Sequence, residues 1–476
     1  MSTPPPAPII IWFRQDLRIA DNAALNAAAA TGQPVIPIFV WDETLAWSPG
    51  GASRWWMHKS LESFSESLAA LGAPLILRRG PAKETITKLA QESGATAVYW
   101  NRCYEPAAIA RDTDIKAALR DAGLAVESFN SALLFEPWEI KTQSGTPFRV
   151  YTPFAKAAFA LPASTPVPAP RKLTPAKQAL PSDQLARWKL LPTKPDWAGG
   201  FREMWTPGES GAAKRLKSFL TQADRYNRAR DIPSEAGTSR LSPHLHWGEI
   251  GPRQIWNAIA HLEPSAGTTT FQRELLWREF AHHLLYHFPT LPERPLRPEF
   301  WKFPWDHSRK SFSAWQKGQT GYPIVDAGMR ELWHTGWMHN RVRMIVASFL
   351  VKHLLLPWQE GALWFWDTLV DADLANNSAS WQWVAGCGTD AAPFFRIFNP
   401  QLQGGKFDAK GAYVRQWVPE IAALPDKYLH EPWEAPDHVL REAGIVLGKT
   451  YPGPIVDHAA ARARALAAFK SLREDA

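Results

Sequence analysis

The sequence of 476 residues predicts two domains, an α/β domain built on a parallel sheet and then a nearly all-α domain. The first observation behind this prediction is the length, because single hydrophobic cores rarely grow beyond about 250–300 residues. The second is a series of five short apolar runs before residue 130, which alternate with Ala- and Leu-rich stretches of helical spacing. The third is the region after Glu209, which has helical runs punctuated by Gly and Pro and no convincing strand series.

The apolar runs are the predicted strands, and the stretches between them are the predicted helices. Short buried strands that alternate with helices are typical of βαβ units around a Rossmann-like parallel sheet. The segment Trp12–Arg18 follows the first strand, where a dinucleotide-binding sheet would have Gly-x-Gly-x-x-Gly, so the standard fingerprint is absent. The predicted strands are 9–13, 35–40, 75–77, 97–100 and 126–129, and the predicted helices are 22–30, 54–71, 82–92 and 107–122.

The two domains are separated by a Pro-rich stretch, residues 162–208, which is typical of an extended connector. We therefore assign residues 1–135 to the α/β domain, 136–208 to the connector and 209–476 to the helical domain. The helices predicted in the helical domain are 212–227, 252–261, 271–288, 325–335, 341–355 and 361–369.

Composition and charge narrow the classes of function. The net charge of +7 and the pI near 9.3 fit a polyanionic partner without requiring one, because many soluble proteins are mildly basic. No apolar run approaches the ~18 residues of a membrane-spanning helix, and Met1–Pro8 lacks the basic-then-apolar layout of a secretory signal. Cys103 and Cys387 cannot form a disulfide scaffold. We therefore expect a cytoplasmic protein that does not associate with membranes.

Polar and aromatic side chains at helical spacing form two candidate site motifs. Glu274, Trp277 and Arg278 share one helical face. They are either a surface ion pair beside an interface indole, or a carboxylate and a stacking face that line a cavity. In Gly336–Met344, a helix would present Asn340 and Met344 one turn apart, although a lone Asn often only caps a helix.

Two further motifs are candidates for holding an organic ligand. In Gly237–Pro243, consecutive backbone N–H groups and hydroxyls could form an anion cradle, although Ser/Thr runs are more often turns or helix caps. In Asp371–Trp383, two carboxylates, two amides and two indoles are hard to explain as a plain helix, because Asp and Asn are poor formers of helix interiors. An EF-hand loop would need further oxygen ligands, and no His- or Cys-based metal spacing occurs, so we expect no metal site.

Tryptophan is unusually frequent, with 25 residues in the chain and 11 of them from Trp277 to Trp383. Most of these side chains are expected to pack in the core or at interfaces. The indole is the side chain most easily oxidised by one electron at neutral pH. If the protein binds a redox cofactor, a chain of tryptophans could therefore carry electrons to or from it.

In their order and spacing, these segments resemble the photolyase/cryptochrome flavoprotein family, most of all the microbial photolyases that act on cyclobutane pyrimidine dimers in DNA. The similarity covers nearly the whole chain and is loosest in the connector. Each motif alone is modest evidence, whereas the whole set in this order is specific. The matching segments are Trp12–Arg18 with Asp21 and Asn22, Gly237–Ser242, Glu274–Phe280, Thr320–Ala327, Gly336–Met344, Asp371–Trp383, Arg396–Pro400 and Lys406–Asp408.

The resemblance implies an N-terminal antenna-binding domain and an all-α C-terminal domain that holds FAD. In family enzymes the light-excited reduced flavin donates one electron to a cyclobutane pyrimidine dimer, the ring splits, and the electron returns. Photolyases are among the enzymes known to flip their target out of the duplex. The implied activity is that of a deoxyribodipyrimidine photo-lyase, a carbon–carbon lyase that acts on UV-damaged DNA, and a monomer is expected.

The family motifs also assign cofactor roles residue by residue. Arg343 and Asp371 match the ion pair beside the flavin ring. Asn377 matches the amide beside flavin N5, and an Asn, unlike an Asp, cannot readily donate a proton there. The residues that would bind FAD are Tyr226, Thr238, Ser239, Arg240, Leu241, Ser242, Arg343, Asp371, Asp373 and Asn377.

On the substrate side, the resemblance implies that Glu274 hydrogen-bonds the dimer and stabilises the charge that develops on it. Arg230 and Arg341 would reach flanking DNA phosphates. Trp381, Trp358 and Trp305 match the electron-hopping triad, in order from flavin to surface. The implied dimer- and DNA-binding set is Arg230, Glu274, Trp277, Asn340, Arg341, Met344 and Trp383, and the implied catalytic set is Glu274, Asn340, Asn377, Trp381, Trp358 and Trp305.

Three other interpretations stay open. A blue-light photoreceptor cryptochrome, or the single-strand-preferring branch, would share the fold, although no long signalling tail follows the helix predicted at 458–474. Asn376–Ser380 differs from the Gly-Gly form of common bacterial enzymes and suggests a side branch near plant-type cryptochromes. An aromatic-rich single-strand-binding protein without cofactor lies outside the family. Six-four repair is disfavoured, because Asn340 and Met344 replace its His pair.

The antenna chromophore is not fixed by the sequence. Tyr104 and Glu105 are followed by Pro106, Ala107 and Ala108, where folate-binding members often carry Asn-Glu. Alanine removes the carboxylate that would bind the pterin. The alternatives are therefore methenyltetrahydrofolate in another pocket, a deazaflavin, or no antenna.

Overall fold

The computed structural model describes residues 6–390 and 395–474. Its N-terminal domain is a parallel sheet in the order β3-β2-β1-β4-β5, with a two-residue strand, β6, paired to β2. The five predicted strands and the four helices between them are confirmed, with small shifts at their ends. The strands are β1 (Ile9–Phe13), β2 (Pro34–Trp41), β3 (Ile76–Arg79), β4 (Ala97–Asn101), β5 (Ala125–Phe129) and β6 (Thr174–Pro175), and the helices are α1 (Ala23–Ala30), α2 (Gly51–Ala70), α3 (Ala82–Ser93) and α4 (Pro106–Asp121).

The central strand β1 is apolar and buried along its whole length. Ile10 lies in register with Ile36 of β2 on one side and with Val98 of β4 on the other. Continuous β-branched runs suit such strands, because helices cover both faces of a parallel sheet. The strand order reverses between β1 and β4, which is where open α/β sheets usually bind ligands.

Side chains of the segment after β1 fill the crevice at this reversal. Asn101 donates a hydrogen bond to the Asp16 carboxylate at 2.6 Å, and Arg14 pairs with a carboxylate of α4 at 2.9 Å. Arg18 reaches into the helical domain and donates to the backbone carbonyl of Gly248 at 3.0 Å. The motif that replaces the glycine fingerprint is therefore a buried polar network that joins the two domains.

The stretch assigned as the connector, residues 136–208, is packed at its two ends, whereas its middle is mostly exposed. It contains α5 (Tyr151–Phe159), which lies against a helix of the second domain, and α6 (Gly199–Met204). Trp188 and Trp205 are buried in the same apolar cluster as one face of the sheet. In the Pro-rich part, residues 162–184 are mostly exposed and contain no helix. From Leu185 onward large apolar side chains are buried, so the extended connector that the prolines predict ends there.

The second domain is helical, as predicted, and its described residues contain no β-pairing beyond one isolated bridge. All six predicted helices are present, although the first is interrupted after Leu220 and the fifth changes to a π-helical turn at Phe349–His353. The helices are α7 (Glu209–Leu220), α8 (Tyr226–Ala229), α9 (Ser242–His246), α10 (Pro252–Ala260), α11 (Ala266–His287), α12 (Arg309–Gln316), α13 (Pro323–Thr335), α14 (Asn340–Ser348), α15 (Trp358–Thr368), α16 (Leu374–Ala385), α17 (Pro400–Phe407), α18 (Ala412–Trp417), α19 (Asp426–Leu429), α20 (Asp437–Glu442) and α21 (His458–Glu474).

The motif Asp371–Trp383 is helical from Leu374 onward, so the expectation that it would resist a plain helix was wrong. Asp373 stands at the N-cap of α16, where Asp is favourable, and accepts a hydrogen bond from the Asn376 backbone N–H at 2.8 Å. The polar residues of this motif therefore begin a helix instead of interrupting one.

None of the helices in the described ranges is both long and apolar enough to cross a membrane. Over the same ranges, no group of three or more His, Cys, Asp or Glu side chains is placed to share a metal ion. Residues 1–5 of the segment Met1–Pro8 lie outside the described part of the chain.

Candidate cofactor and nucleic-acid site

A cavity of about 520 Å³ opens between α8, α11, α14 and α16 of the helical domain. Cavities of roughly 300–1,000 Å³ are typical of ligand and cofactor sites. Of the site residues assigned from the sequence, all line this cavity except Arg341, Trp358 and Trp305. Those that line it are Tyr226, Arg230, Thr238, Ser239, Arg240, Leu241, Ser242, Glu274, Trp277, Asn340, Arg343, Met344, Asp371, Asp373, Asn377, Trp381 and Trp383.

The loop before α9 forms one wall of the cavity, with the hydroxyls of Thr238 and Ser239 in its lining. Gly237 is required for this path, because a Cβ there would lie 2.5 Å from the Ala229 carbonyl oxygen of α8. Arg240 adopts a left-handed φ of +51°, which few side-chain-bearing residues do. The loop is thus held in a fixed shape against α8.

Arg240 carries a positive charge that no carboxylate of the described residues pairs within 4 Å. Burial lowers the pKa of its guanidinium, and the more distant Glu331 only partly offsets this. Arg215 lies close by, and burial together with the charge of Arg240 lowers its pKa to about 10. Both guanidinium groups are half-buried, and among the described residues neither has a carboxylate partner within 4 Å. Two such cations beside a hydroxyl-rich loop are suited to an anion such as a pyrophosphate. This donor set fits the FAD that the resemblance implies.

The predicted ion pair on the floor of the cavity is present. Arg343 donates to the buried Asp371 carboxylate at 2.9 Å and to the Met338 backbone carbonyl at 2.8 Å. Both bonds fix the guanidinium, so one fixed charge pair faces whatever ring system the cavity holds. Asn377 also lines the cavity, and its amide donates to the Ala362 carbonyl at 3.0 Å.

Asp373 has two partners that the sequence analysis did not assign. His282 and His246 approach its carboxylate at 3.5 Å and 3.7 Å. Burial opposes the charged form of Asp373, but the two imidazoles outweigh it and hold the pKa of this carboxyl well below its usual range. Asp373 therefore stays an anion that caps α16 and orients two imidazoles beside the cavity.

Glu274 is paired with Arg230, the residue that follows α8, through a direct charge-assisted hydrogen bond. The burial of Arg230 alone would lower its pKa, but the adjacent Glu274 carboxylate raises it. The sequence assigned these two residues to different tasks, dimer binding and phosphate binding. In the structure they form one unit on the cavity wall, which leaves one carboxylate oxygen of Glu274 outside this pair.

Two indoles, one from each of two packed helices, line the same cavity. Trp277 of α11 stacks on Tyr151, with ring centroids 3.6 Å apart and an interplanar angle of 6°. Trp383 of α16 donates its indole N–H to the Asp390 carbonyl at 3.1 Å. Each indole is therefore fixed from outside the cavity, and Tyr151, in the stretch predicted as linker, was missed by the sequence analysis.

Arg341 lies in a neighbouring open groove of about 490 Å³. It pairs with Asp231 at 2.7 Å and covers the Phe407 ring. Arg396 and Lys406 line the same groove, so three cations lie together beside the mouth of the site. This arrangement suits a phosphate backbone, which basic side chains bind without reading sequence.

The three tryptophans of the implied hopping triad are placed unequally. Trp381 lines the cavity, Trp358 is fully buried at the start of α15, and Trp305 is half-buried with its ring 4.4 Å from Phe303. Trp381 makes its ring contacts with Phe365 at 5.0 Å and Trp315 at 6.3 Å. The order from flavin to surface stays a prediction.

Glu105, the residue before Pro106, is partly buried at the boundary between the two domains. It borders a cavity of about 30 Å³ between the domains, together with Arg278 and Asp373. Burial raises the pKa of Glu105, and the nearby Asp373 carboxylate adds to this. The space is about that of one water molecule. Glu105 is therefore part of the buried wall behind the main cavity.

Comparison with known proteins identifies the family. Residues 271–471 match the model of the FAD binding domain of DNA photolyase, and residues 9–171 match the DNA photolyase model. The deoxyribodipyrimidine photo-lyase of Agrobacterium fabrum is 52% identical, and the alignment covers 98% of both chains. Cryptochrome-2 of Arabidopsis thaliana is 41% identical over 98% of this chain and 79% of that one.

The structure is similar to the crystal structure of a bacterial class III photolyase from Agrobacterium tumefaciens. The TM-score is 0.97, the identity is 52%, and the match covers 99% of each chain. The α/β domain and the helical FAD-binding domain are thus confirmed as predicted. The chain belongs to the DNA photolyase family.

Proposed function

We propose that this protein is a deoxyribodipyrimidine photo-lyase that uses light to split cyclobutane pyrimidine dimers in UV-damaged DNA. The observation that carries the proposal is the single cavity described above. It combines a cofactor wall, made of the anion cradle and the Arg343–Asp371 pair, with a substrate wall that contains the Arg230–Glu274 pair and two indoles. If FAD and DNA were bound at separate sites, the cofactor-binding and substrate-binding side chains would not line the same cavity.

The residues that would hold FAD are the hydroxyls of the cradle and Arg240 at the phosphates, and Arg343, Asp371 and Asn377 at the ring. When bound and reduced, the flavin supplies the photoexcited electron that enters the dimer and is recovered after the ring has split. Asn377 keeps a neutral amide beside this position, and its bond to the Ala362 carbonyl limits its rotation. An amide cannot protonate its neighbour as a carboxylic acid can.

Glu274 and Arg230 act together on the substrate. A carboxylate accepts hydrogen bonds, so the oxygen outside the ion pair suits an N–H of a pyrimidine imide. The negative charge that develops on the dimer would be offset by the guanidinium of Arg230 at the same place. Trp277 and Trp383 offer flat apolar surfaces for the extruded bases, a contact worth about 1–3 kcal/mol per base.

The test is repair of UV-irradiated oligothymidylate by the purified protein, in light and in darkness. We expect dimer loss in light only. The matched control is Glu274→Gln, which keeps the size of the side chain and removes its charge; it should retain FAD and split dimers in lower yield. Absence of light-dependent dimer loss in a preparation that contains reduced FAD would refute the proposal.

A second candidate is a blue-light receptor, because the plant cryptochrome is 41% identical over nearly the whole chain. It predicts no dimer loss and a light-dependent change in oligomeric state or partner binding. The same assay on single- and double-stranded substrates separates the single-strand-preferring branch. A preparation without flavin absorption would instead support a cofactor-free nucleic-acid-binding protein.

We further propose that the enzyme acts as a monomer. Relatives named as photo-lyases come from bacteria and an archaeon, whose DNA lies in the cytoplasm, and we place the activity there. The antenna remains methenyltetrahydrofolate, a deazaflavin or neither; the absorption spectrum of the purified protein distinguishes the three.

A further inference from the structure

Tyr151 covers one whole face of the Trp277 indole. The centroid distance of 3.6 Å and the angle of 6° describe full face-to-face overlap, whereas aromatic pairs usually prefer offset or edge geometry. Trp277 lines the cavity and Tyr151 does not. The indole therefore has its second face closed by protein and keeps the other for a ligand.

The tyrosine is itself held on two sides. Its hydroxyl donates to the Arg273 carbonyl at 2.7 Å, one helical turn before Trp277 on α11. Phe280, one turn after Trp277, presents an edge contact to both rings, at 5.9 Å from Trp277 and 6.0 Å from Tyr151. Since Tyr151 is buried, this three-ring cluster leaves the indole little freedom to tilt.

The same tyrosine begins α5, and its helix start is tied to the other indole. Val150, at the N-cap of α5, supplies no side-chain cap. The Asp390 carboxylate instead lies near the backbone N–H of Tyr151, and the Asp390 carbonyl accepts the indole N–H of Trp383 at 3.1 Å. Asp390 has a left-handed φ of +52°, which Asp tolerates better than most residues. One residue thus links Tyr151 to Trp383.

We propose that Tyr151 is a positioning residue of the dimer pocket, which fixes the plane of Trp277 so that its free face meets the extruded lesion. This inference rests on the proposed function. It also assigns the stretch between the domains a role in substrate recognition, because α5 carries the Tyr151 ring that packs behind Trp277.

The experiment compares Tyr151→Phe and Tyr151→Leu in binding to single-stranded oligothymidylate with and without one dimer. Tyr151→Phe keeps the ring and loses only the hydroxyl, so its affinity for the dimer should stay near that of the wild type. Tyr151→Leu should bind the dimer about fivefold to tenfold more weakly, in keeping with the contribution of one aromatic pair. FAD content and binding to undamaged DNA should be unchanged in both.

A Trp277→Leu background separates positioning from general stability. If Tyr151 acts through Trp277, adding Tyr151→Leu there causes no further loss of dimer affinity. A further loss as large as in the wild-type background would overturn the inference, as would full dimer affinity in Tyr151→Leu itself. If Tyr151→Leu loses FAD, the same binding measurements are made with Tyr151→Met. This variant fills similar space with a flexible apolar side chain.

Failure of the proposed function gives a different result. In that case the wild-type protein would bind damaged and undamaged oligonucleotides alike, and the role of Tyr151 would fall with it. If the wild type discriminates and Tyr151→Leu discriminates equally well, only the role of Tyr151 is overturned.

Discussion

Replacement of Arg230 by alanine would distinguish its contact with Glu274 from a contact with DNA. The family motif assigns Arg230 to a flanking phosphate, whereas in the structure its guanidinium is bonded to the Glu274 carboxylate. We expect Arg230→Ala to weaken binding of dimer-containing DNA and to leave binding of undamaged DNA almost unchanged. The physical reason is that Glu274 would lose the partner that orients it and that balances its charge.

The size of the effect follows from the exposure of the pair. The side chains of Arg230 and Glu274 are 19% and 29% exposed, so the pair is neither fully buried nor open to water. Loss of one partner costs about 3–5 kcal/mol in a fully buried pair. Exposed pairs contribute about 0–1 kcal/mol. We expect about 1–2 kcal/mol, a weakening of about 5- to 30-fold.

The assay is binding of damaged and undamaged single strands over a series of salt concentrations. A residue that contacts phosphate contributes to the salt dependence of all DNA binding, and its loss lowers the salt slope by about 1. Arg341→Ala, in the basic groove, is the matched control and should show that behaviour. Arg230→Ala should keep the slope of the wild type and lose affinity only for the lesion.

The reasoning would be refuted if Arg230→Ala weakened damaged and undamaged DNA equally and lowered the salt slope. A combination with Glu274→Gln adds a second check, because residues in one bonded pair are not additive. If the losses of binding free energy in the two single variants add up to the loss in the double variant, the Arg230–Glu274 pair does not persist when DNA binds.

Three further outcomes concern buried ionisable groups. Lys352, whose pKa burial lowers to about 7, costs the folded state about 4 kcal/mol at pH 7, a cost that disappears as the pH rises toward 10.5. Lys352→Met loses one bond to the Arg396 carbonyl, and urea unfolding should find it more stable by about 2–3 kcal/mol at pH 7 but not at pH 10. The pKa of Glu331 is raised to about 7 by burial, so its contribution to stability is full below pH 4.5 and is lost as the pH rises through 7. Glu331→Gln, which can still accept from Tyr413, should remove about 3 kcal/mol of this pH dependence in denaturant titrations. Asp373→Ala should lower the free energy of unfolding by about 1–2 kcal/mol and release FAD, whereas Asp373→Asn keeps the helix cap. The melting temperature and the flavin content of each variant test this.

The α/β domain could be predicted almost completely because its strands are clear in the sequence as short apolar runs. β1 and β2 are apolar at nearly every position, and only strands covered on both faces tolerate such runs. The helices between them keep the helical period, so their positions were also clear. Between the domains the prediction was less complete. The prolines of 162–208 favoured an extended connector and concealed Trp188, and no pattern marked Tyr151, although both side chains are buried in the apolar clusters of the two domains.

The site could be predicted as a set of residues and not as a set of contacts. Nearly all of the residues assigned from the motifs line one cavity, since each motif lies on an element that borders it. The partner of Glu274 could not be found this way, because Arg230 lies 44 residues earlier and meets it only through the packing of α8 on α11. Likewise, the helix start at Asp373 was concealed, because a capping residue and an interior residue look alike in a bare sequence.

The segment Trp12–Arg18 stands where other α/β sheets have a glycine-rich dinucleotide motif, and here it has a structural role. The Leu17 N–H donates to the Trp247 carbonyl at 3.1 Å and Arg18 donates to that of Gly248, so the first domain holds the end of α9. Gly248 has a φ of +64°, and a Cβ there would collide with the backbone of the N-terminal segment. The anion cradle leads directly into α9, so fixing the end of this short helix also fixes the cradle. In a dinucleotide-binding sheet this crevice would hold the ligand, whereas here side chains of Trp12–Arg18 occupy it. The same segment supports the end of α9, and thereby the cradle loop that would face the cofactor phosphates in the helical domain.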